Sequence, residues 1–261
     1  MQLNNARILL TGATGGLGQE LAQQLAAAGA KLLIAGRDTA KLTALTATLG
    51  SGHSNVRADL TRPEGIAAAA GAARDFGVNV LINNAGIGGF GLFDQQDWPT
   101  VADLLATNLE APMRLTQALL PTLKAQPQAA IVNIGSTFGS LPFAGFAAYS
   151  AAKAGLRGFS QALRRELADT QVAVIHLAPR AIDTSLNTAA VNALNRALNN
   201  NSDSTETVAR QVVAALRRGD GEHHFGFPEK LFAWINGFAP SLIDRGLASK
   251  LAVIKQHAPS R

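Results

Sequence analysis

The chain has 261 residues, of which 47% are hydrophobic and 16% are charged, a balance that excludes a disordered chain and supplies enough apolar side chains for a large core. It contains no cysteine, which excludes disulfides, cysteine-ligated metals and a cysteine nucleophile, and its five histidines show no metal-binding spacing, so we expect no metal. The formal charge of +5 comes from scattered basic residues without interleaved aromatic residues, so we expect it to attract a small anionic molecule and not nucleic acid.

Short apolar runs alternate with helix-like stretches as far as residue 178. The runs have the length of strands buried on both faces of a parallel sheet, and they are Arg7–Thr11, Lys31–Ala35, Val78–Asn83, Ala129–Gly135 and Val172–Ala178. The predicted helices are Gly18–Ala28, Asp38–Leu49, Pro63–Arg74, Asp97–Leu123 with an interruption at Pro112, and Ala148–Thr170. This alternation predicts an α/β fold: a Rossmann-type doubly wound parallel sheet with helices on both faces, in a single domain over residues 1–261.

The first predicted strand leads directly into a glycine-rich turn, which precedes the first predicted helix. The turn reads Thr11-Gly12-Ala13-Thr14-Gly15-Gly16-Leu17-Gly18. Glycines permit a tight turn, and the backbone N–H groups at a helix start can bind a pyrophosphate. Glycine-rich turns are common, so it is the position between strand and helix that indicates a dinucleotide site.

Arg37 follows the second predicted strand, where dinucleotide folds that prefer NAD usually carry an acidic residue for the ribose 2′-hydroxyl. Gly36 and Arg37 occupy that place, and a guanidinium can pair with a 2′-phosphate through charge-assisted hydrogen bonds. A solvated arginine at a strand end is the alternative. We predict NADP(H) as the cofactor, with Asp59, at the end of a third strand-like run, accepting a hydrogen bond from the adenine amino group.

Five motifs together resemble the short-chain dehydrogenase/reductase family. Besides the glycine-rich turn, they are Asn83-Asn84-Ala85-Gly86, Asn108 on the long predicted helix, Ser136 directly after the predicted strand Ala129–Gly135, and Tyr149-Ser150-Ala151-Ala152-Lys153. A tyrosine and a lysine at this spacing arise often by chance, so alone they would be weak evidence. The five motifs occur in the family's order and spacing, and Tyr149 is the only tyrosine in the chain.

The resemblance implies an oxidoreductase that interconverts a ketone or aldehyde and an alcohol. Tyr149 would exchange a proton with the substrate oxygen, and Ser136 would hold that oxygen. Lys153 lies four residues after Tyr149 on a predicted helix, so both side chains project from one face, and its ammonium is expected to lower the Tyr149 pKa. Asn108 would link the lysine to a water chain, although it could instead repair a helix interruption.

The resemblance also implies a set of cofactor-binding residues, most of them at the ends of predicted strands. The set is Gly12, Thr14, Gly16, Leu17, Gly18, Arg37, Asp59, Leu60, Asn84, Ala85, Gly86, Tyr149, Lys153, Pro179, Ile182 and Thr184. Arg180 departs from the family pattern, in which a glycine usually follows directly after the residue that corresponds to Pro179. We therefore expect an altered backbone there. Residues 180–204 are expected to form a mobile loop, as either a substrate lid or a solvated connection.

Apolar and aromatic residues surround the expected substrate pocket, with Phe90 on one side and Phe138, Leu141, Phe143 and Phe146 on the other. A C-terminal extension over residues 228–261 adds Phe232, Trp234, Ile235, Phe238, Leu242 and Ile243. This extension could cap the pocket, pack on the core, or make a peripheral membrane contact with Lys230, Arg245, Lys250 and Lys255 on its polar side. We predict a bulky hydrophobic carbonyl substrate, reduced in the physiological direction because the cofactor is NADP(H).

Assembly, location and competing functions complete the predictions. In the family the two long helices commonly pack against their symmetry mates, so we expect a homodimer or homotetramer. No apolar stretch approaches the roughly 20 residues that span a bilayer, and a strand-like run already begins at Ala6, so we expect no signal peptide and a cytoplasmic location. The alternatives are a non-catalytic dinucleotide-binding regulator or scaffold and, less favoured, an epimerase or dehydratase.

Overall fold

The predicted alternation of strands and helices is present in the computed structural model, which describes residues 1–184, 186–219 and 221–259. The strands are β1 Arg7–Thr11, β2 Lys31–Gly36, β3 Ser54–Arg57, β4 Val80–Asn83, β5 Ala129–Ile134, β6 Val172–Ala178 and β7 Glu222–His224. The helices are α1 Gly16–Ala27, α2 Thr39–Leu49, α3 Pro63–Phe76, α4 Trp98–Leu105, α5 Ala111–Lys124, α6 Ala147–Glu166, α7 Ala189–Ala197, α8 Thr205–Arg218, α9 Glu229–Asn236, α10 Pro240–Ala248 and α11 Leu251–His257.

All the strands lie in one parallel sheet with the order β3-β2-β1-β4-β5-β6-β7. Alternate residues of each central strand face opposite sides: Ile8 and Leu10 pack under α1, α2 and α8, and Leu9 packs under α3, α5 and α6. Two apolar cores therefore enclose the sheet, which is the predicted doubly wound fold. The strand order reverses between β1 and β4, so a cleft opens at their carboxyl ends.

The long predicted helix over residues 97–123 is interrupted, but the interruption lies before Pro112 and not at it. It consists of α4, a π-helical segment at Ala106–Glu110, and α5, so the break precedes Pro112, which lies in the first turn of α5. A proline fits a first turn because its missing N–H has no partner to lose there. The other differences are small: α1 begins at Gly16, α3 continues to Phe76, β4 begins at Val80, and α6 ends at Glu166.

The region that the sequence left least defined contains further helices. Thr188 caps the N-terminus of α7, because its side chain accepts from the Val191 N–H at 3.3 Å. Ser204 caps α8 in the same way, by accepting from the Thr207 N–H. The extension after residue 228 forms α9, α10 and α11 in place of one straight helix. Over the part of the chain that the structure describes, no helix is both long and apolar enough to cross a bilayer.

Candidate active site

One cavity of about 1150 Å³ opens at the carboxyl ends of the strands. The residues that follow β1, β2, β4, β5 and β6 all contribute to its wall, because the carboxyl ends of parallel strands share one edge. Every residue proposed from the sequence for catalysis or cofactor binding lines this cavity. The cavity is large enough for both a dinucleotide segment and a substrate.

Two glycines of the glycine-rich turn, Gly12 and Gly18, have no room for side chains. Gly12 has a φ of +63°, and a Cβ there would lie 2.7 Å from the Ala85 Cα. A Cβ on Gly18 would lie 2.1 Å from the Gly12 carbonyl oxygen. The turn delivers the chain to the N-terminus of α1, which has no side-chain cap and whose first residues line the cavity. Such an uncapped N-terminus is suited to a phosphate group.

Hydrogen bonds fix this turn to the strand end that carries Asn84. The Thr11 hydroxyl accepts from the backbone N–H groups of Asn84 and Ala85, both at 3.0 Å, and donates to the Ile82 carbonyl at 3.3 Å. The Asn84 amide donates to the carbonyls of Thr11 and Gly12 at 3.0 and 3.2 Å. Thr11 therefore positions the turn against β4, whereas the sequence identified it only as the first residue of the turn.

A buried chain of amides supports the same strand end from below. The Asn83 side chain donates to Asn133 at 2.8 Å, Asn133 donates to Ser160 at 2.8 Å, and the Ser160 hydroxyl donates to the Leu156 carbonyl at 2.7 Å. These contacts join β4, β5 and α6. Asn133 and Ser160 were missed because no motif marks them, although buried polar residues in an apolar strand and helix are a signal that they pair.

Arg37 is exposed at the rim of the cavity, beside Arg57, whose Nε donates to the Arg37 carbonyl at 3.3 Å. Arg57 was not predicted, and it adds a second guanidinium at this rim. The Asp59 carboxylate accepts from the Thr61 hydroxyl at 2.7 Å and from the Thr61 N–H at 3.1 Å. The hydroxyl bond is the largest reason why the pKa of Asp59 lies below its usual range, so Asp59 is an acceptor at neutral pH.

Ser136, Tyr149 and Lys153 meet where β5 ends and α6 begins. The hydroxyl groups of Ser136 and Tyr149 are within reach of each other, and their interaction offsets part of the rise that burial causes in the Tyr149 pKa. Lys153 is buried, its ammonium donates to the Ile134 carbonyl at 2.9 Å, and its Nζ lies 5.8 Å from the centre of the Tyr149 ring. The proposed proton donor and the proposed carbonyl-holding hydroxyl are therefore adjacent, with a cation close behind them.

The expected lowering of the Tyr149 pKa is wrong for this structure. Burial of the phenol raises its pKa, and the interaction with Ser136 opposes that rise only in part. Lys153 does not reverse this rise, and burial lowers the pKa of its own ammonium, which donates to the Ile134 carbonyl, to about 8. Tyr149 is thus a protonated phenol at neutral pH, and Lys153 is still mostly charged.

Asn108 lies in the π-helical segment between α4 and α5, and it is fully buried. Its carbonyl oxygen accepts from the Ile87 N–H at 2.9 Å, and its amide donates to the Ile87 carbonyl at 2.8 Å. The side chain therefore bonds to the segment after β4 and not to its own helix. A Cβ on Gly86 would lie 2.9 Å from the Asn108 oxygen, so this contact also explains why Gly86 is a glycine.

His176 lies directly beneath Gly135, one residue before Ser136. A Cβ on Gly135 would lie 2.3 Å from the His176 Nε2. The imidazole is fully buried, and within the described residues neither ring nitrogen has a hydrogen-bond partner. Burial is the largest reason why its pKa falls to about 4, so the ring is neutral at physiological pH. A histidine in an apolar strand gave no signal of this position.

Aromatic side chains form the opposite end of the cavity. Phe138, Phe143, Phe146 and Tyr149 are in ring contact, with Phe138 and Phe146 centroids 5.0 Å apart, and Phe90 stacks on Phe146 at 5.0 Å. Leu194 of α7 and Ile254 of α11 are buried against this cluster. The loop over residues 180–204 and the C-terminal extension therefore both form walls of the aromatic pocket.

The C-terminal extension divides between the cavity and the surface. Four of its apolar residues line the cavity, as expected if the extension caps the pocket: Phe232, Ile235, Leu242 and Ile243. Lys250 was expected on the polar outer side, and this is wrong, because α11 turns back onto α7 and brings Lys250 to the cavity wall. Trp234 and Phe238 lie outside the cavity lining and are strongly exposed.

Arg180 holds two of these walls together. Its Nε and terminal nitrogen donate to the two oxygens of Asp203 at 3.0 and 2.7 Å, and a second terminal nitrogen lies 3.5 Å from Glu229. Asp203 directly precedes the cap of α8, and Glu229 begins α9. The arginine that departs from the family pattern therefore connects the loop after β6 to both the α7–α8 segment and the C-terminal extension.

Comparisons with known proteins agree with this geometry. A family model described as short chain dehydrogenase matches residues 6–195. The 3-oxoacyl-(acyl-carrier-protein) reductase FabG of Vibrio cholerae is 35% identical over 222 residues, which cover 84% of this chain and 86% of that protein. A short-chain dehydrogenase from Sphingobium yanoikuyae, solved in complex with NADPH, has a TM-score of 0.78 at 29% identity and covers 94% of this chain and 95% of its own. The 3-ketoacyl-(acyl-carrier-protein) reductase from Brucella melitensis, complexed with NADH, has a TM-score of 0.76 at 27% identity, with 82% and 91% covered.

Proposed function

Because the chain belongs to the short-chain dehydrogenase/reductase family, we propose that it is an NADP(H)-dependent oxidoreductase that reduces a hydrophobic ketone or aldehyde to an alcohol. The observation that carries this proposal is that the hydroxyls of Ser136 and Tyr149 lie within reach of each other, at the junction between the glycine-rich turn and the aromatic pocket. A carbonyl placed there would meet two hydroxyl donors at once.

The residues of the cavity fit a nicotinamide dinucleotide, which when bound supplies the hydride. The uncapped N-terminus of α1 and the side-chain-free surface of Gly12 and Gly18 would hold the pyrophosphate. Ser136 would donate to the carbonyl oxygen and orient it, and Tyr149 would deliver the proton. The raised pKa of Tyr149 keeps its proton in place at neutral pH, which suits reduction more than oxidation.

Lys153 and Asn108 would serve the same proton transfer from behind. The pKa of about 8 leaves most Lys153 side chains charged at pH 7, so the ammonium would stabilise the phenolate that forms as Tyr149 gives up its proton. Asn108 fixes the segment after β4 through Ile87, and its place behind Lys153 supports the proposed link to a proton supply.

The preference for NADP(H) rests on the cavity rim. Arg37 is exposed beside the cavity, Arg57 lies next to it, and neither position 36 nor position 37 carries an acidic residue. A 2′-phosphate at this rim would gain charge-assisted hydrogen bonds, whereas a ribose hydroxyl would not. The solved structures named above contain either NADPH or NADH, so they support a nicotinamide cofactor without choosing between the two.

The aromatic pocket supports a bulky apolar substrate, such as a lipid-like, acyl or polycyclic ketone. A relative named for 3-oxoacyl substrates points the same way. The test is NADPH oxidation with methyl ketones of increasing chain length. Each further 100 Å² of apolar ligand surface that is buried would contribute about 2.5 kcal/mol, so kcat/KM should rise along the series. A flat trend, or a preference for a charged or polyhydroxylated carbonyl, would contradict the proposed substrate.

A non-catalytic nucleotide-binding regulator is the second candidate. It would bind NADPH through the same cavity but turn over no member of a panel of ketones, β-ketoacyl thioesters, quinones and steroids. The adjacent hydroxyls of Ser136 and Tyr149 favour the enzyme, because a regulator has no need of that pair.

We propose a homodimer or homotetramer that forms through α4, α5 and α6. Two exposed apolar side chains on these helices, Trp98 and Met113, support such an interface. A single domain and a cytoplasmic location stay predictions. Sedimentation velocity at micromolar concentration measures the assembly, and a strictly monomeric mass would exclude it.

A further inference from the structure

A ridge of exposed apolar side chains lies on the outer side of α9 and α10. Within the described residues, seven of the eleven exposed large apolar side chains fall between positions 227 and 251. Trp234 and Phe238 form the centre of the ridge, with their rings in edge-to-face contact at a centroid distance of 4.7 Å. We call this surface the apolar ridge, and its members are Phe227, Leu231, Phe232, Trp234, Phe238 and Leu242.

Helix α9 carries apolar side chains on two sides, Phe232 and Ile235 toward the cavity and Leu231 and Trp234 away from it. Ile235, Ile243 and Leu247 face the cavity, yet Ala233 is the only buried residue of α9 and α10 has none. A surface helix with one apolar face needs only the protein core, whereas large apolar side chains on a second face are left exposed to water unless another apolar environment covers them. Phe232 and Leu242 belong to both the cavity lining and the ridge, so the ridge borders the mouth of the cavity.

The charges around the ridge are mainly basic. Lys230, Arg245 and Lys255 are exposed, and Asp244 is the one exposed acidic residue among the described positions of α9, α10 and α11. Glu229 is half-buried and lies 3.5 Å from Arg180. An exposed apolar strip with tryptophan at its centre and cations at its edges is complementary to the interface of a bilayer with anionic headgroups.

We propose that the apolar ridge inserts into the headgroup region of an anionic lipid bilayer and turns the mouth of the cavity toward the lipid. A hydrophobic carbonyl compound could then pass from the bilayer to Tyr149 without crossing water. This inference rests on the proposed function for the substrate, but the binding surface itself does not depend on catalysis. A second copy of the chain on the ridge is disfavoured, because it would cover the cavity mouth that Phe232 and Leu242 border.

The two tryptophans of the chain provide a matched pair of reporters. Trp234 lies on the ridge, whereas Trp98 lies at the start of α4, on the proposed subunit interface, and within one protomer they are 66% and 67% exposed. The Trp98→Phe variant leaves Trp234 as the reporter, and Trp234→Phe leaves Trp98. Full-length protein is mixed with vesicles of phosphatidylcholine containing about a quarter phosphatidylglycerol. We expect the emission of Trp234, but not of Trp98, to shift to shorter wavelength and to be quenched by brominated lipid.

A second variant separates membrane binding from catalysis. Trp234→Ser combined with Phe238→Ser should lower the vesicle partition coefficient by about tenfold or more, because both side chains lose their insertion into the interface. Neither residue lines the cavity, so turnover of a water-soluble ketone should not change, whereas turnover of a ketone dissolved in the vesicles should fall.

Three outcomes would overturn the inference. One is an unchanged Trp234 spectrum in the presence of vesicles. Another is an equal response of Trp234 and Trp98, which would indicate non-specific adsorption. The third is a change in sedimenting mass on substitution of Trp234 and Phe238 in a protein that does not bind vesicles, which would assign the ridge to a second copy. Turnover of the soluble ketone tests the proposed function separately, so the two failures are distinguishable.

Discussion

The two ends of the cavity are built by different means. At the nucleotide end, the main chain itself forms the surface: Gly12 and Gly18 leave no room for side chains, and Thr11 and Asn84 tie the turn to β4 by hydrogen bonds. At the substrate end, the wall is made of side chains that come from distant segments, and Leu194 and Ile254 meet the aromatic cluster there. A backbone-built surface tolerates few sequences and so leaves a motif, whereas a side-chain-built wall can be filled in many ways.

Tyr149 lies at the junction of the two ends, and its substitution should have the largest effect. Tyr149→Phe removes only the hydroxyl, so kcat should fall by about 100-fold or more while the Kd for NADPH stays the same. Stopped-flow NADPH oxidation gives kcat, and fluorescence titration gives the Kd. If the variant keeps more than about a tenth of the turnover, proton transfer by Tyr149 is the wrong assignment.

The framework beneath the junction should be sensitive to acid through His176. Its pKa is about 4 in the folded protein and 6.5 without the fold, so the unfolded chain binds more protons between these values. Stability is therefore complete above pH 6.5 and falls as the pH drops toward 4, by about 2 kcal/mol at pH 5. Denaturant unfolding of wild type and His176→Leu at pH 7 and pH 5 measures this loss. His257→Leu, at the end of α11, is the control, and an equal pH dependence in all three proteins would exclude the role of His176.

Arg37 tests a contact at the nucleotide end that depends on a side chain. Arg37→Ala should raise the KM for NADPH by about tenfold, since a charge-assisted hydrogen bond is lost, and should leave the KM for NADH nearly unchanged. Lys41→Ala removes a positive charge from nearby α2, outside the cavity lining, and serves as the control for general electrostatics. Equal effects of Arg37→Ala on the two cofactors would refute a 2′-phosphate contact.

Arg180 tests the substrate end, where the effect should be smallest. Arg180→Met loosens the connection of Asp203 and Glu229, so the KM for a bulky ketone should rise by about three- to tenfold, with the KM for a short ketone less affected. Asp203→Asn should act in the same direction, and the double variant should cost less than the two single effects combined.

The control for Arg180 is Arg157→Met. Arg157 also makes a half-buried ion pair, with Glu222, but it lies outside the cavity lining. We expect it to change stability without changing the ratio of KM values for long and short ketones. If both arginine variants change that ratio alike, Arg180 acts only through general stability.

The sequence predicted what is encoded over short distances. The five central strands, the glycine-rich turn and the pairing of Tyr149 with Lys153 on one helix face each depend on residues a few positions apart, so a local pattern is enough to find them. The same holds for the doubly wound sheet, which follows from the order of those elements.

The sequence failed where burial is decided by remote segments. The pKa of Tyr149 is raised and not lowered because the surrounding protein desolvates the phenol, and no local spacing reports that. Lys250 lines the cavity because α11 folds back onto α7, which a polar lysine in an apolar stretch does not indicate. The break in the long helix was placed at Pro112, whereas the π-helical segment that carries Asn108 comes before it. Strands and helices could thus be predicted from local sequence patterns, whereas the roles of single residues could not, because these roles depend on contacts with remote segments.

The burial of Ile254 against the aromatic cluster has a consequence for the order in which the molecule can be built. The cavity residues proposed for the nucleotide all lie at or before Thr184, so a ribosome has translated them about 70 residues before Ile254 is added. The packing of the aromatic cluster is completed only when that later residue is in place. The residues proposed for the dinucleotide are therefore all synthesised first, whereas the aromatic cluster of the substrate end can finish packing only after α11 has left the exit tunnel.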